Sequence, residues 1–419
     1  MISNTNKLEP RPNNISQQFF SIRKETENLL SNLSEEDTCV QSMTDASPAK
    51  WHAAHTTWFF ETFILKQYEK QFTPFDENFE SLFNSYYNAI GEQFTRDWRG
   101  LITRPNLSKI IDYRKNIDER ISKIIETIAD PELFKLVEIG INHEQQHQEL
   151  LVMDIKHLFS INPTNPALFD SVIPLSPKRK NHWISFEGGL FEFGKSDSSF
   201  HFDNETPCHK RYLENYKMAS QLVSSKEFLE FIDDGGYENP LLWLSDGWSW
   251  LNENRVRGPL YWEKKDNSWF EFTLYGLTPL DKENPVCHVN FYEASAYALW
   301  AGARLPCEFE WEHSADDTKI PVKPIRYQAT KSGEKNNLED LHGAVWQWTN
   351  SGYLPYPRFN PPSGAIGEYN GKFMSNQNVL RGSACCTPTH HSRHTYRNFF
   401  YPHQRWAFSG LRLAKDNQP

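Results

Sequence analysis

Residues 131–158 read PELFKLVEIGINHEQQHQELLVMDIKHL, the longest stretch of the chain with one helical periodicity. Its apolar residues recur at spacings of three and four, which predicts an amphipathic helix. Asp130 and Pro131 are typical of a helix start, because Asp caps free backbone N–H groups and Pro fits the first turn. Residues 143–147, HEQQH, form an H-E-x-x-H string, which in zinc proteases supplies two metal ligands and a catalytic Glu. The string alone does not decide between a zinc hydrolase and a metal centre with other chemistry.

Three further stretches in the first 160 residues have the same periodicity. They lie between Ser16 and Leu33, between Pro48 and Tyr68, and between Lys109 and Ile128. Four helices of this length with polar connections predict an antiparallel four-helix bundle. We therefore expect a helical domain over residues 1–161.

The second part of the chain has a different pattern. Residues 162–180 are rich in Pro and lack periodicity, which predicts a linker. Residues 181–419 contain short apolar stretches with many Gly and Trp, and two helices are predicted, near Ser224 to Asp233 and near Phe291 to Ala301. The fold class expected for the whole chain is α+β in two domains.

Composition and charge exclude several classes of protein. The net charge of −10 offers no basic stripe for nucleic acid, and no apolar run is long enough for a membrane helix. The polar N-terminus shows no secretory signal, and six cysteines in 419 residues are too few for a disulfide scaffold. We expect a cytoplasmic enzyme with reduced thiols that acts on small molecules.

The two histidines of HEQQH share one helix face. At about 100° per residue, His143 and His147 lie about 40° apart, and Gln146 flanks them. Glu149 falls on the opposite side of the helix, so it cannot be a third ligand from this helix. Glu144 lies about 100° from His143, which leaves both a base and a supporting role open.

A third ligand has to come from another helix. His55 lies in WHAAHTTWFFE, residues 51–61, an apolar helical segment. Facing helices of a bundle project side chains at each other, so His55, His143 and His147 predict a three-histidine metal site with open positions. The alternative is that they are core or surface histidines satisfied by hydrogen bonds. Three imidazoles fit either zinc or iron.

Several segments together resemble a known family. The helical part resembles the DinB-like bundle of the ergothioneine-biosynthesis sulfoxide synthases, the EgtB-type enzymes. The rest resembles their formylglycine-generating-enzyme-like domain, a C-type-lectin-related fold. The segments that carry the likeness are SPAKWHAAHTTWFFE (47–61), LFNSYYNAIGEQFTRDWRGLITRP (82–105), HEQQHQE (143–149), GGLFEFG (188–194), NPVCHVNFYEASAYALWAGARLPCEFEWE (284–312), HGAVWQWT (342–349) and RNFFYPHQRWAFSGLRLA (397–414).

The resemblance implies a mononuclear non-haem iron(II) enzyme with His55, His143 and His147 as ligands. Relatives join the sulfur of a cysteine-type thiol to C2 of the imidazole of hercynine (Nα-trimethylhistidine) and oxidise that sulfur to a sulfoxide with dioxygen. Three imidazoles leave three positions of an octahedral iron free, so both substrates and dioxygen can meet there. Proximity of this kind can supply about 7–11 kcal/mol.

The resemblance also assigns roles to further residues. A tyrosine beside the iron delivers a proton or hydrogen atom in relatives, and Tyr86 and Tyr87 are the candidates, with Tyr87 favoured. An Arg-x-x-Arg pair that binds the thiol substrate corresponds to Arg96 and Arg99. Surface ion pairs with Asp97 or Glu92 are the alternative for these arginines.

Hercynine contacts in relatives correspond to Gln146 and to three residues of the second domain. These are Asn398, Phe399 and Phe400, where aromatic faces can hold a trimethylammonium group. Ordinary packing in the domain core is the alternative for the two phenylalanines. Relatives that prefer γ-glutamylcysteine carry an acidic residue near the position of Phe400. This run has none, so the resemblance implies cysteine as the thiol substrate.

Other readings stay open. The same scaffold could use a selenosugar, and a zinc-dependent thiol transferase or hydrolase with Glu144 as base is an alternative of a different class. A non-catalytic binding protein is a third.

Formylglycine-generating enzymes bind copper through two cysteines, but here His391 stands where the second would fall, so Cys385 and Cys386 are expected to be structural. A strained vicinal disulfide is the alternative for them. The related enzyme of ovothiol biosynthesis carries an extra methyltransferase domain. This sequence shows no glycine-rich nucleotide loop of that kind after the second domain, so we expect hercynine to come from a separate protein.

Overall fold

The computed structural model describes residues 12–170, 176–178, 180–315, 320, 328–329, 331 and 338–417. Its contacts divide the chain into two compact units, Met1–Leu158 and Phe159–Pro419. The predicted linker, residues 162–180, lies partly outside the described residues, which exclude 171–175 and 179. Within it, the backbone N–H groups of Leu168 and Phe169 donate to Leu274 O at 2.8 and 3.1 Å.

The first unit is built from helices, and the four long helices predicted from periodicity are present. In chain order the helices are α1 (Pro12–Leu30), α2 (Ala49–Phe60), α3 (Lys66–Tyr68), α4 (Phe79–Leu82), α5 (Leu107–Thr127) and α6 (Pro131–Ile161). A π-helical turn, Glu61–Leu65, joins α2 to α3. Asp130 Oδ1 accepts the backbone N–H of Glu132 at 2.9 Å, which confirms the predicted cap of α6.

Helix α2 lies in the interior, since every one of its twelve residues is buried. A helix that is apolar all round is a central helix, and one with a single apolar stripe lies at the surface. Because α2 is surrounded by the rest of the unit, His55 lies in the interior.

One carboxylate ties the four long helices together. Glu144 on α6 accepts at Oε2 from Arg23 Nη1 (2.8 Å) and at Oε1 from Arg114 Nη2 (2.8 Å), so it bridges α1 and α5. Thr26 Oγ1 on α1 also donates to Glu144 Oε1, at 2.6 Å. Arg23 Nη2 in turn donates to Thr57 Oγ1 on α2 at 2.9 Å.

The charges of this network are buried and paired. The side chains of Arg23, Arg114 and Glu144 are at most 2% exposed. Burial alone raises the pKa of Glu144, but Arg114 and Arg23 outweigh it and hold the pKa at about 2. The carboxylate is thus ionised throughout the physiological range, and it stabilises the fold at every pH above its ordinary value.

The second unit is a mixture of short strands and helices. Its helices are α7 (Ser225–Asp233), α8 (Ser245–Glu253), α9 (Phe291–Trp300) and α10 (Glu308–Ala315). Its strands are β1 (Trp183–Phe186), β2 (Gly189–Phe193), β3 (His209–Leu213), β4 (Tyr216–Ala219), β5 (Trp262–Lys265), β6 (Ser268–Thr273), β7 (Gly276–Pro279), β8 (Trp346–Gly352), β9 (Asn378–Gly382), β10 (Asn398–Phe400), β11 (Ser409–Gly410) and β12 (Ala414–Asp416).

The strands form four small sheets. Their orders are β1-β4-β12, β2-β3, β5-β6-β7 and β10-β9-β8-β11. All pairings are antiparallel except that of β11 with β8. This agrees with the irregular α+β domain expected from the sequence.

Of the four helices in the part of this unit that the structure describes, α7 and α9 confirm the prediction, and the expectation of only two helices is wrong. Helix α10 was missed because three of its buried residues are acidic: Glu308, Glu310 and Glu312. Arg381 Nη2 pairs with Glu308 at 3.0 Å and with Glu312 at 2.7 Å. A helix that buries carboxylates against arginines shows no apolar periodicity.

All six cysteines lie in the described residues, and each is a free thiol. Cys385 and Cys386 are buried, and they do not form the vicinal disulfide considered as an alternative. Within the described residues, no helix combines the length and apolar character needed to cross a membrane.

Substituting Glu144 tests the network. Glu144→Gln keeps the shape but leaves two buried guanidinium groups without their common counter-charge, so we expect the free energy of unfolding to fall by about 3–5 kcal/mol. The exposed Glu132→Gln change on the same helix should stay within about 0.5 kcal/mol. Urea unfolding followed by far-UV circular dichroism measures both. Equal stability of the two variants would contradict the structural role of Glu144.

Candidate metal centre

Three histidines from two helices meet inside the first unit. One ligand atom each of His55 on α2 and of His143 and His147 on α6 lies within 4.8 Å of the others. The ring centroids are 5.0 Å apart for His55 and His143, 4.7 Å for His55 and His147, and 4.6 Å for His143 and His147. The structure therefore brings together the three residues that were predicted as ligands.

The two ligand-bearing helices approach each other closely beside this cluster. A Cβ atom at Gly140 would lie only 2.5 Å from Phe60 Cε1. A larger residue would push α6 away from α2 at a point one turn before His143. Glycine here permits the short distance that the three imidazoles need.

Hydrogen bonds fix which nitrogen of two rings faces the centre. His55 Nδ1 lies 2.7 Å from the carbonyl oxygen of Phe83, which can only accept, so Nδ1 carries the proton and Nε2 is the free donor atom. Ser85 Oγ lies 3.5 Å from that Nε2. His147 Nδ1 lies 2.9 Å from His52 Nδ1, so His147 also keeps Nε2 for a metal.

Burial keeps the imidazoles neutral. It lowers the pKa of His143 to about 3. The pKa of His55 and that of His147 are well below the ordinary value, in both cases first through burial and then through the neighbouring His143. Neutral imidazole is the form that ligates metals, and a set of three fits zinc or iron(II). The residues present therefore fit a divalent transition metal.

Glu144 takes no part in this centre. Both of its oxygens are engaged by α1 and α5, and its pKa of about 2 makes it a poor proton acceptor. The reading of Glu144 as a catalytic base is therefore wrong, and the supporting role is correct. Glu149 does not belong to the three-ligand group, as predicted.

The chain is similar to several known proteins. Residues 170–334 and 316–417 match the Sulfatase-modifying factor enzyme 1-like domain, so this family covers more than half of the chain. A hercynine oxygenase of Mycolicibacterium smegmatis is 30% identical over 66% of this chain and 70% of its own length. The hercynine oxygenase of Mycobacterium tuberculosis gives the same three values. Ergothioneine biosynthesis protein 1 of Schizosaccharomyces pombe is 26% identical over 53% of this chain and 28% of that protein.

The chain belongs to the EgtB-type family of ergothioneine-biosynthesis sulfoxide synthases. The residues that the resemblance assigns to substrates and catalysis can now be located within each unit of this EgtB-type chain.

Arg99 is buried beside the histidines. Its side chain is 4% exposed, and its Cζ lies 3.5 Å from the ring centroid of Trp51. His55 stacks on the same indole at 4.7 Å and 9°. Two groups this close to one centroid cannot share a face, so Trp51 separates Arg99 from His55. Arg99 Nη1 donates to Ser47 Oγ at 3.0 Å.

Among the described residues Arg99 forms no ion pair within 4 Å, although the carboxylate of Asp154 is near enough to raise its pKa, and its buried Nε has no hydrogen-bond partner. Burial, and secondarily Arg96, lower the pKa of Arg99 to about 9. The alternative of a surface ion pair is therefore wrong for Arg99. Arg96 is exposed and donates through Nη2 to the carbonyl oxygen of Asp45.

The two candidate tyrosines follow the segment that holds His55. Their rings stack at 4.6 Å and 27°, and the hydroxyl groups of Tyr86 and Tyr87 are 3.5 Å apart. Tyr87 is fully buried, with its ring 5.6 Å from Trp58, whereas Tyr86 is partly exposed. Asn84 holds the turn, since its side chain donates to Tyr87 O and accepts from Tyr87 N–H, each at 3.0 Å.

The remaining predicted contacts have these positions. Gln146 is partly exposed on α6, between the two ligand histidines in sequence. Asn398, Phe399 and Phe400 form β10 and are partly exposed. Phe399 stacks on Tyr353 at 4.1 Å and 11°. The assignment of these four residues to hercynine stays a prediction.

Two residues next to the cluster were missed, His52 and Asp154. A signal was available, because Asp154 lies seven residues after His147 and hence about 20° from it around the helix. His52 lies one turn before His55 in the same apolar helix. Both residues therefore lie on the helix faces that carry the three histidines.

The metal centre can be tested by removing one ligand. We expect His143→Ala to weaken the binding of cobalt(II) by about 100-fold or more, because the loss of a ligand exceeds the 10–100-fold cost of losing its hydrogen-bond partner. His403→Ala, an exposed histidine of the second unit, is the control and should bind like the parent. Chelator competition measures the affinity, and circular dichroism checks that the helices persist. Unchanged cobalt affinity in His143→Ala would contradict the assignment.

Proposed function

We propose that this chain is an iron(II)- and dioxygen-dependent sulfoxide synthase that joins the sulfur of cysteine to C2 of hercynine. The observation that carries the proposal is the all-histidine centre of His55, His143 and His147 in a chain of the EgtB-type family. When bound there, iron(II) would supply the one-electron chemistry that dioxygen requires and would favour the thiolate form of the substrate.

The overall reaction balances without another reductant. The C2–H bond of hercynine and the S–H bond of cysteine are broken, and one C–S bond forms, which releases two electrons. Oxidation of the sulfur to the sulfoxide releases two more. One oxygen atom of dioxygen enters the sulfoxide and the other leaves as water, so dioxygen takes up all four electrons.

Arg99 is suited to bind the carboxylate of cysteine. A buried guanidinium, only 4% exposed and without a close ion pair among the described residues, is stabilised by an anionic ligand. The indole of Trp51 holds it in place by cation–π contact. The exposed Arg96 lies one turn earlier and can approach the same group from the surface.

The tyrosine pair is suited to hold and deliver a proton. Hydroxyl groups 3.5 Å apart allow the buried Tyr87 to share its proton with Tyr86, which is partly open to solvent. We assign proton or hydrogen-atom delivery to this pair, with Tyr87 nearer the interior. Gln146 lies between the two ligand histidines in sequence, and its amide could orient the imidazole of hercynine.

The helical unit supports a DinB-like assignment. Four long helices, with the candidate metal ligands on two of them, support this assignment. A zinc-dependent hydrolase or thiol transferase is the second candidate. Because Glu144 is held by Arg23 and Arg114, such an enzyme would lack the base of the H-E-x-x-H string.

A product assay tests the proposal. Iron(II)-loaded protein with hercynine, cysteine and air is expected to give a product whose mass equals both substrates plus one oxygen and minus two hydrogens. Mass spectrometry of parallel reactions with γ-glutamylcysteine and a selenosugar identifies the preferred donor. Zinc-loaded protein and iron(II) protein without air are the controls. Activity of the zinc form without dioxygen would contradict the proposal and favour the hydrolase or transferase.

Replacing each tyrosine tests proton delivery. Tyr87→Phe is expected to lower C–S product formation by about 100-fold or more while oxidation of the thiol continues, because a general acid contributes about 10²–10⁴-fold. Tyr86→Phe is the matched variant, since it removes the neighbouring hydroxyl group from the same stack. Iron content and the ratio of sulfoxide to oxidised cysteine are the measurements. Unchanged ratios in both variants would overturn the role of the pair.

A further inference from the structure

A buried histidine and a buried aspartate lie behind the ligand His147. His52 on α2 is 3% exposed and Asp154 on α6 is 6% exposed. His52 Nδ1 lies 2.9 Å from His147 Nδ1, and His52 Nε2 lies 3.0 Å from Asp154 Oδ2. The three side chains thus form one hydrogen-bonded line that ends at a ligand of the centre.

The direction of each hydrogen bond follows from the end of the line. A carboxylate oxygen accepts, so a His52 ring that carries one proton has it on Nε2, facing Asp154. Nδ1 of His52 is then an acceptor, and His147 must donate to it from Nδ1. Nε2 of His147 is left with its lone pair available, on the ring atom that a metal would use.

We propose that His52 and Asp154 are positioning residues that select the tautomer of His147 and orient its ring for the metal. The inference rests on the proposed metal centre and adds a role for two residues that the resemblance leaves unassigned. A carboxylate behind a ligand imidazole also raises the basicity of the ligand, and loss of such a partner weakens metal binding about 10–100-fold.

The partner of His55 shows why His52 is the residue to test. His55 donates to the backbone carbonyl of Phe83, which no substitution removes. His147 instead depends on a side chain. Asp154 has a second task, since its Oδ2 also accepts the backbone N–H of Ser47 at 2.8 Å. A change at Asp154 therefore mixes two effects, whereas a change at His52 acts on the line alone.

Two substitutions of His52 distinguish its role as a hydrogen-bond acceptor from the space that its ring fills. His52→Phe keeps an aromatic ring but offers no acceptor to His147. His52→Asn places an amide oxygen near the position of Nδ1, so it keeps the acceptor and loses the contact with Asp154. His157→Phe is the matched control, because His157 lies on α6 and bonds to Ser42.

Cobalt(II) affinity of the full chain, measured by chelator competition, is the first readout. We expect His52→Phe to bind about 10–100-fold more weakly than the parent, His52→Asn to fall between them, and His157→Phe to match the parent. The second readout is the ¹⁵N spectrum of histidine-labelled, zinc-loaded protein. There the Nδ1–H signal of His147, assigned from its absence in His147→Gln, should be protected in the parent and in His52→Asn and lost in His52→Phe.

The outcomes distinguish this inference from the proposed function. If the parent binds no cobalt(II), the metal centre itself is wrong and the positioning role falls with it. If the parent binds cobalt(II) and His52→Phe binds within about 2-fold with an unchanged His147 signal, the positioning role is wrong and the centre stands. Should His52→Phe fail to fold, equal affinity of His52→Asn and Asp154→Asn with the parent overturns the proposal.

Discussion

The arrangement of the helical unit depends on the burial of Glu144 between Arg23 and Arg114. Breaking such a pair leaves uncompensated charge in the interior, so the rotation of α6 about its axis is strongly fixed. Neighbouring residues on a helix point about 100° apart. Because Glu144 faces α1 and α5, His143 and His147 face α2, which carries His55. The acidic residue of the H-E-x-x-H string thus determines where its histidines go, although it does not act on a substrate.

The same string serves different chemistry in different surroundings. In a zinc protease the Glu faces the metal-bound side of its helix, whereas here two guanidinium groups and a threonine occupy both of its oxygens. The second difference is the third ligand, an imidazole from a helix whose residues are all buried. The candidate ligands also have hydrogen-bond partners of two kinds: a backbone carbonyl behind His55 and a side chain behind His147. The segment that provides the carbonyl continues directly into Tyr86.

The helices of the first unit and the three-histidine cluster could be predicted from the sequence, because the long helices have clear apolar periodicity and His55 lies in an apolar helical segment. The wheel excluded Glu149 correctly. It could not place Glu144, since the side of α6 that meets α1 and α5 depends on arginines far away in the chain. For Arg99 the sequence left a surface ion pair open beside the predicted binding of the thiol substrate, and only the packing on Trp51 shows that the residue is buried. Helix α10 was not predicted because some of its buried positions hold carboxylates paired with arginines instead of apolar residues.

The buried arginine has a consequence for the electrical balance of the centre. The three donor atoms are neutral, so a divalent ion held by them keeps both of its positive charges, and Arg99 adds a third across the indole of Trp51. Three like charges in a poorly solvated interior repel one another unless anions enter with them. The carboxylate of Asp154, which raises the pKa of Arg99, offsets one of these charges. Under the proposed function, a cysteine that arrives as thiolate and carboxylate would offset the other two, so the centre would favour such a substrate over a neutral thiol of equal size.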